Sequence, residues 1–409
     1  MRETATMVAT PRFAVAVSTE SDPEAAAREA AARIAATIRR GETTLAAVFA
    51  SPAIAEDGEA VLAVLEELIE PQHLIGCTTE AVVGAGREIE AGPALAVWCA
   101  RLPGATVTPF RIEDTGVDDG FPFTGWPEEL DGGSGGDPPV LLLADPYTFR
   151  SDRLAGALND AGGPVLVGGL ASGGAGPGAH RLFLDGEVLR DGAIGVAVAG
   201  APMMAVVSQG CAPLGPDMVI TAGGGSVVGE LAGRPAFEKL SEVVQELGQD
   251  ERRLIHQPLL AGIVIDENQP EYERGDFLVR GIVGRDADTG AIYIGERVRI
   301  GQTFRLHVRD AESADEDLRA VLRSARSTYG GALAPAGGLI FTCNGRGTHM
   351  FEIADHDATC VRDELADPPF AGMFCNGEIG PVGGRTFLHG FTATMALFFA
   401  PAEERMPAD

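Results

Sequence analysis

Basic residues are scarce in this 409-residue chain. There are 31 lysines and arginines against 59 aspartates and glutamates, which gives a formal net charge of −28. A surface of that sign repels nucleic-acid backbones and anionic lipids, so we expect no nucleic-acid partner and no binding to a membrane surface. Solubility is the simplest explanation of the acidity.

Closely spaced cysteines are missing as well. The six cysteines are scattered along the chain, and none of them forms a CxxC pair. This spacing argues against a disulfide framework and against a structural zinc site. We therefore expect free thiols, no metal and no cofactor.

The sequence also lacks signals for export or membrane insertion. The N-terminus, MRETATMVATPRFAVAVSTE, has no basic segment followed by a long apolar core, and no apolar run reaches the length of a membrane span. A cytoplasmic protein is the expectation. The length and the 45% hydrophobic content suffice for two or three domains with a sizeable core.

Alternating strand and helix patterns predict an α/β (α+β) fold with mixed sheets covered by helices. Segments 45–99, 140–199 and 339–400 each have the pattern of strand, helix, strand, glycine-rich loop and further strands. We interpret this as an internal duplication of a β-α-β-loop-β-β unit in two related halves.

The loops of the first and last segments match in detail. Cys77 is followed three residues later by Glu80, and Cys375 is followed three residues later by Glu378. Glycine returns nine residues after each cysteine, at positions 86 and 384, whereas the middle segment has Ser172 in place of the glutamate.

Other patterns predict local structure. DGGSGGDPP, residues 131–139, is typical of a flexible surface connection, and AGGGSVVGE, residues 222–230, predicts a turn before a helix. Four strands between 259 and 308 predict an antiparallel meander. Ser313 with Glu316 predicts a capping box for the helix that follows.

The stretch AGMFCNGEIGPVGGRTFLHGF, residues 371–391, combines five glycines after Cys375 with Glu378, Arg385, His389 and Cys375 itself. Glycine at this density lets another group approach the backbone closely. The stretch therefore predicts the wall of a small-molecule site. The alternative is a tight turn in which Glu378 and Arg385 only neutralise each other.

Three motifs, LIGCTTEAVVGAGREIE, LIFTCNGRGTHMF and FCNGEIGPVGGRTFLHGFTATMALF, resemble the FIST domain family, which has a FIST N and a FIST C part. The resemblance covers about residues 43–396. It implies a sensory, ligand-binding module of signal transduction, with amino acids as proposed ligands and no established catalysis. The predicted layout is an N-terminal strand and helix at 1–42, FIST N at 43–232, FIST C at 233–400 and a tail at 401–409.

No fused kinase, cyclase or methyl-accepting segment is recognisable, so the chain resembles a stand-alone bacterial sensory protein whose signalling partner is not indicated.

A zwitterionic amino acid needs a cation for its carboxylate and an acid for its ammonium group. Arg385 can bind both carboxylate oxygens, and Glu378 or Glu80 can accept the ammonium group. We expect the loops after Gly76 and Phe374 to converge on one cleft between the two halves. The candidate ligand-binding residues are Cys77, Thr78, Glu80, Cys343, Asn344, Arg346, Cys375, Asn376, Glu378, Gly383, Gly384, Arg385 and His389.

Three alternatives remain open. Cys375 or Cys343, which we expect to be neighbours, could be a nucleophile activated by His389 or His349, although we favour a protein that is not an enzyme. The chain could be a protein-interaction scaffold, which an exposed hydrophobic patch would favour, whereas a closed polar pocket would favour a sensor. The acidic segment around His349 and His356 is more typical of a solvated turn than of a metal site.

Overall fold

The structure is a computed structural model that describes residues 10–116, 122–130, 139–255, 258–328 and 335–400. The predicted tail 401–409 and residues 131–138 of the predicted surface connection lie outside this part of the chain.

The described residues form the following strands: β1 (Arg12–Ser18), β2 (Leu45–Ala50), β3 (His73–Thr78), β4 (Val82–Gly84), β5 (Arg87–Ile89), β6 (Leu95–Arg101), β7 (Thr106–Asp114), β8 (Phe123–Thr124), β9 (Val140–Ala144), β10 (Leu166–Leu170), β11 (Leu182–Leu184), β12 (Glu187–Leu189), β13 (Ala193–Ala199), β14 (Met203–Gln209), β15 (Cys211–Leu231), β16 (Arg234–Pro235), β17 (Leu260–Val264), β18 (Phe277–Arg285), β19 (Ile292–Val298), β20 (Thr303–Arg309), β21 (Gly337–Cys343), β22 (Phe370–Cys375), β23 (Glu378–Val382), β24 (Arg385–His389) and β25 (Thr392–Phe398).

The α-helices of the same residues are α1 (Pro23–Ile34), α2 (Pro52–Ala55), α3 (Gly58–Leu68), α4 (Ser151–Ala161), α5 (Ala236–Glu246), α6 (Gln249–Arg253), α7 (Ala311–Thr328), α8 (Thr348–Phe351) and α9 (His356–Leu365). The predicted α+β class with mixed sheets is therefore confirmed.

The chain divides into two compact units. The first comprises Met1–Val207, Arg319–Leu388 and Ala393–Asp409, and the second comprises Ser208–Leu318 and His389–Thr392. The first unit contains all three segments in which we recognised a repeated pattern.

Three sheets of the first unit share one design. Each sheet contains two parallel strands that are connected by one or two helices, and an antiparallel third strand pairs with the first of them. The three sets are β2 and β3 with β6, β9 and β10 with β13, and β21 and β22 with β25. The predicted duplication is thus confirmed, and the middle segment forms a third copy of the unit.

Each copy contributes a hairpin to the sheet of another copy. The β4–β5 hairpin follows β3 in the chain but pairs with β22, and the β11–β12 hairpin follows β10 but pairs with β3. The β23–β24 hairpin follows β22 and joins the sheet next to β10. In each copy, the loop that follows the second parallel strand therefore runs from the sheet of that copy to the sheet of another copy.

Tight turns of the same kind close the three hairpins. Their two central residues all have positive φ: Ala85 and Gly86 (50° and 73°), Asp185 and Gly186 (43° and 86°), and Gly383 and Gly384 (57° and 76°). Positive φ at both positions defines the type I′ turn, whose twist matches that of the flanking strands. The glycine that returns nine residues after Cys77 and Cys375 is the second residue of such a turn.

Replacing Gly384 by alanine isolates the cost of this conformation. No heavy atom lies within 4 Å of the added Cβ, but φ is +76°, which an L-residue adopts only with strain. We expect the free energy of unfolding to fall by about 1–2 kcal/mol. The control is Gly156→Ala in α4, which also meets nothing within 4 Å and should stabilise the helix by ~0.5–1 kcal/mol. Urea unfolding that shows equal shifts for the two variants would contradict this interpretation.

The core of the first unit joins inward faces of the three sheets. It contains Phe49 and Trp98 from the first sheet, Leu143 from the second, and Phe341 and Met373 from the third. Helices α1 and α3 cover the outer face of the first sheet with buried side chains such as Ala30, Ile34 and Val61. Asp22 caps α1, because its Oδ1 accepts the Ala25 N–H at 2.8 Å.

The second unit is a closed antiparallel barrel in the order β15-β19-β18-β17-β20, with β20 pairing back to β15. Closure removes the free edges of the sheet. The expected meander is correct for β17 to β19 but wrong for β20, which pairs with β17 and not with β19. Helix α5 packs its apolar side chains into the same core as the barrel strands.

Two local predictions in this part of the chain are wrong. Residues 222–230 belong to the long strand β15, because the valines at 227 and 228 pair with β19 and the glycines permit the bend. Helix α7 begins at Ala311, and Asp310 caps it by accepting the Ser313 N–H at 2.8 Å. The predicted Ser313–Glu316 capping box starts too late.

Candidate functional site

The loops that follow β3, β10 and β22 meet at one junction. Ser172 donates its hydroxyl to the Phe374 carbonyl at 2.5 Å, and its oxygen accepts the Glu80 N–H at 2.8 Å. The Thr79 hydroxyl lies 2.9 Å from the same carbonyl oxygen. The Phe374 N–H donates to the Ala81 carbonyl at 3.0 Å. The structure therefore brings together the loops after Gly76 and Phe374, but within the first unit and not in the predicted cleft between two halves.

A matched pair of Cys-Asn sequences lies at the ends of β21 and β22. Cys343 is the register partner of Cys375, and both thiols are free, as predicted. The next residues bond directly, because the Asn344 amide donates to the Asn376 side-chain oxygen at 3.0 Å. Asn376 in turn donates to the Ala171 carbonyl at 3.1 Å, which ties this pair to the loop after β10.

A polar cavity of about 270 Å³ opens beside Thr78, at the carboxyl ends of the parallel strands β2 and β3. Ligands of α/β proteins commonly bind at this end of parallel strands. Pro52 follows β2, Thr78 ends β3, and Arg181 precedes the exchanged strand β11. The lining residues are Pro52, Ala53, Ala55, Glu56, Thr78, Ala179 and Arg181.

Arg181 is the cation of this cavity. Its backbone is fixed to Thr78, whose hydroxyl accepts the Arg181 N–H at 2.8 Å. Its guanidinium Nη1 donates to the Gly178 and His180 carbonyls, each at 2.9 Å. Among the described residues it forms no ion pair, so the remaining guanidinium nitrogens have no anionic partner in this part of the chain.

Charges around Arg181 are of both signs. Burial lowers the pKa of the Arg181 guanidinium, and the positive charge of Arg190 lowers this pKa further. The carboxylate of Glu56, which also lines the cavity, acts in the opposite direction. The cavity therefore offers an incoming molecule one cation and one anion.

Not all of the predicted ligand residues are accessible. Cys77 and Cys375 are buried in the core, and the Cys77 thiol lies 3.3 Å from the Met373 sulfur. Burial raises the pKa of the Cys77 thiol and, together with nearby Glu378, that of the Cys375 thiol far above the ordinary value. Thiols in this state are not nucleophiles at neutral pH, which disfavours catalysis by Cys375.

The expected pairing of Glu378 with Arg385 is not present. Glu378 is fully buried at the start of β23, whereas Arg385 is exposed and follows the Gly383–Gly384 turn at the opposite end of the hairpin. Four residues of strand separate the two positions along the hairpin, or roughly 13 Å. Among the described residues Arg385 forms no ion pair, so neither the predicted shared site nor the neutralised turn holds.

The other acidic and imidazole candidates are also apart. Glu80 is exposed, and the contact that the structure shows for it is the backbone bond to Ser172. His389 is buried at the end of β24, and His349 is exposed on α8. The structure thus leaves Thr78 as the predicted site residue that lines the cavity.

Arg346 is committed to an internal ion pair. Its Nε and Nη2 bind the two carboxylate oxygens of Asp357 at 2.8 Å each, and both side chains are fully buried. Thr342 and His356 donate to the same carboxylate at 2.7 and 2.8 Å. Arg346 is therefore not available to a ligand, contrary to the prediction. His356 and Asp357, in the segment weighed as a metal site, belong to this network.

Burial alone would raise the pKa of Asp357, but the charge and hydrogen bonds of Arg346 outweigh it and lower this pKa strongly. The pKa of neighbouring Glu88 shifts in the other direction. Burial, followed by the negative charge of Asp357, raises the pKa of Glu88 to about 8. These opposite shifts favour an ionised Asp357 beside a protonated Glu88.

Two family models match most of this chain. The family model described as FIST N domain matches residues 44–234, and the model described as FIST C domain matches residues 236–381. The chain belongs to the FIST family. FIST domains are known as sensory domains in signal transduction.

Two mycobacterial relatives match nearly the whole length of this FIST protein. The chain is 43% identical to the uncharacterized protein Rv0628c of Mycobacterium tuberculosis over 391 residues, which is 95% of this chain and 99% of the relative. It is 41% identical to the uncharacterized protein Mb0898c of Mycobacterium bovis over 388 residues, 95% and 98% of the two chains. A 96-residue part is 30% identical to an F-box/LRR-repeat protein of Arabidopsis thaliana, covering 23% of this chain and 18% of that protein.

Within the described residues of the FIST chain, no helix has both the length and the apolar character needed to cross a bilayer.

Sequence reasoning missed Glu56 and Arg181, the two charged residues of the cavity. Arg181 follows the glycine-rich loop GGLASGGAGPG and directly precedes an apolar strand. A single arginine in that position was the available signal. What the sequence did not reveal is that β11 pairs with β3 of another copy, which places Arg181 beside Thr78.

Proposed function

We propose that this FIST protein is a sensory module whose ligand is a small zwitterion, an amino acid or a closely related metabolite, bound in the cavity beside Thr78. The observation that carries the proposal is the presence of Arg181 and Glu56 in the lining of one polar cavity. A zwitterion presents a carboxylate to the first and an ammonium group to the second.

The size of the cavity supports a small ligand. Drug-sized ligands occupy pockets of roughly 300–1,000 Å³, and a cavity of about 270 Å³ falls just below that range. Four of its seven lining residues are alanine or proline, which offer little to a long apolar body. A polar pocket of this kind favours a sensor over an interaction scaffold.

Arg181 takes the anchoring role that the sequence suggested for Arg385. Its backbone is bonded to Thr78 and its Nη1 to two carbonyls, so the guanidinium is held in place before a ligand arrives. Such preorganisation lowers the entropic cost of binding. The signal would then pass to a partner protein that recognises the occupied state.

The test begins with a thermal-shift screen of the full chain against amino acids and closely related metabolites. A ligand at a hundred times its dissociation constant stabilises the fold by about 2.7 kcal/mol, which such a screen detects. Calorimetry then measures the affinity of the strongest ligand for the wild type, Arg181→Gln and Arg385→Gln. We expect Arg181→Gln to weaken binding by ~2–5 kcal/mol and Arg385→Gln to leave it unchanged.

Ligand analogues assign the two ends of the molecule. An analogue of the ligand without the amino group should bind the wild type more weakly than the ligand does. The two should bind Glu56→Gln equally well, because that variant has already lost the partner of the ammonium group. The proposal is wrong if neither an amino acid nor a closely related metabolite stabilises the chain. It is also wrong if Arg385→Gln, rather than Arg181→Gln, abolishes binding.

A further inference from the structure

A second cavity lies within the barrel unit and differs in character from the first. Its volume is about 640 Å³, in the middle of the roughly 300–1,000 Å³ range of pockets that hold drug-sized molecules. One wall is the stripe Phe237, Leu240 and Val244 of helix α5, which recurs at helical spacing. Leu259 and Ile292 contribute further apolar surface.

Another wall of the cavity contains a bulge in β18. Ile282 pairs with Ile294 of β19, but Gly284 pairs with Tyr293, so one extra residue, Val283, is inserted between them. Val283 is 74% exposed, the largest value among the exposed large hydrophobic residues of the described chain. Bulges often redirect side chains next to binding sites, and the glycine beside this one removes a side chain from the cavity wall.

Arg285 is the one charged residue among the described residues that line this cavity. Its guanidinium stacks over the ring of Phe237, 4.2 Å from the centroid. It forms no ion pair with any described residue. The adjacent carboxylate, Asp286, accepts hydrogen bonds from the N–H groups of Asp288 and Thr289 at 2.9 Å each. This carboxylate is therefore already hydrogen-bonded within the turn that follows β18.

Arg285 places a cation at an otherwise uncharged, largely apolar cavity lining, in a chain with a net charge of −28. Contact with the Phe237 ring holds the guanidinium at the edge of the apolar surface, where its N–H groups can meet a planar anion bidentately. An apolar body of a ligand would cover α5 and Ile292, while a carboxylate would reach Arg285.

We propose that this cavity binds an amphipathic carboxylate, a molecule with an apolar body and a single acid group. The site is separate from the cavity beside Thr78 and does not depend on the function proposed there. Decanoate is a suitable probe, because 1-decanol has the same apolar chain without the charge.

Calorimetry with the full chain tests the role of the charge. Decanoate should bind the wild type at least about tenfold more tightly than 1-decanol, since a charge-assisted hydrogen bond contributes that much. Arg285→Gln should remove this difference and leave the affinity for 1-decanol unchanged. Arg297→Gln, an exposed arginine of the same barrel outside the cavity lining, is the matched control and should bind both probes like the wild type.

A second pair of variants tests the location. Ser241 lines the cavity on α5, so Ser241→Trp should fill the space and abolish binding of both probes. Glu246→Trp, on the same helix but outside the lining, should bind normally. The proposal fails if decanoate does not bind the wild type, if Ser241→Trp binds it as well as the wild type does, or if Arg285→Gln retains the preference for the acid.

Discussion

Replacing Asp357 by alanine is expected to lower the free energy of unfolding by about 3–5 kcal/mol, because it leaves the buried Arg346 guanidinium without its counter-ion. Both side chains are fully buried, and Arg346 binds both oxygens of Asp357 at 2.8 Å. The variant also removes the acceptor of the Thr342 hydroxyl. Urea unfolding followed by circular dichroism measures the loss as a decrease in the transition midpoint.

Two further variants show whether the effect comes from the buried charge. Arg323→Ala breaks an ion pair with Glu364 in which the arginine is 56% exposed, and it should cost no more than ~1 kcal/mol. The double variant Arg346→Met with Asp357→Leu removes both charges and should recover most of the loss. A double variant as unstable as Asp357→Ala would show that the packing of these side chains, and not the unpaired charge, is responsible.

Replacing Glu88 by glutamine is expected to make the protein more stable at high pH. The pKa of Glu88 is raised to about 8 in the folded state by burial and by the charge of Asp357. The unfolded chain releases this proton at a lower pH, so the stability contributed by protonated Glu88 is complete below pH ~4 and is lost as the pH rises to about 8. Glutamine cannot ionise, and its oxygen can still accept the Ala358 N–H that Glu88 accepts at 2.9 Å.

The difference between the two proteins should therefore depend on pH. Near pH 4 the urea midpoints of Glu88→Gln and wild type should be close, and near pH 8.5 the variant should be more stable by ~2–4 kcal/mol. Glu59→Gln replaces an exposed glutamate of α3 and should not change the pH dependence. A stability difference that is constant from pH 4 to 8.5 would mean that Glu88 does not titrate in this range.

The candidate site was only partly predictable from local sequence. The Cys-Asn-Gly matches at 343 and 375 follow apolar strands joined by a helix, and such strands lie parallel and adjacent, so their ends meet. The Val382-Gly383-Gly384-Arg385 sequence carries the signal of a two-residue hairpin turn. Treating 371–391 as one glycine-rich loop placed Arg385 next to Glu378, whereas the turn sends it to the opposite end of the hairpin.

The sequence by itself determined the repeating unit, the helices that cover the sheets and the family, because periodicity, turn residues and motifs are local properties. Only the tertiary structure decided which sheet receives each hairpin. Pairing of β11 with β3 joins positions more than a hundred residues apart, and it is this pairing that places Arg181 beside Thr78. Long-range pairing is selected by the complementarity of whole buried faces, so no short stretch of sequence encodes it.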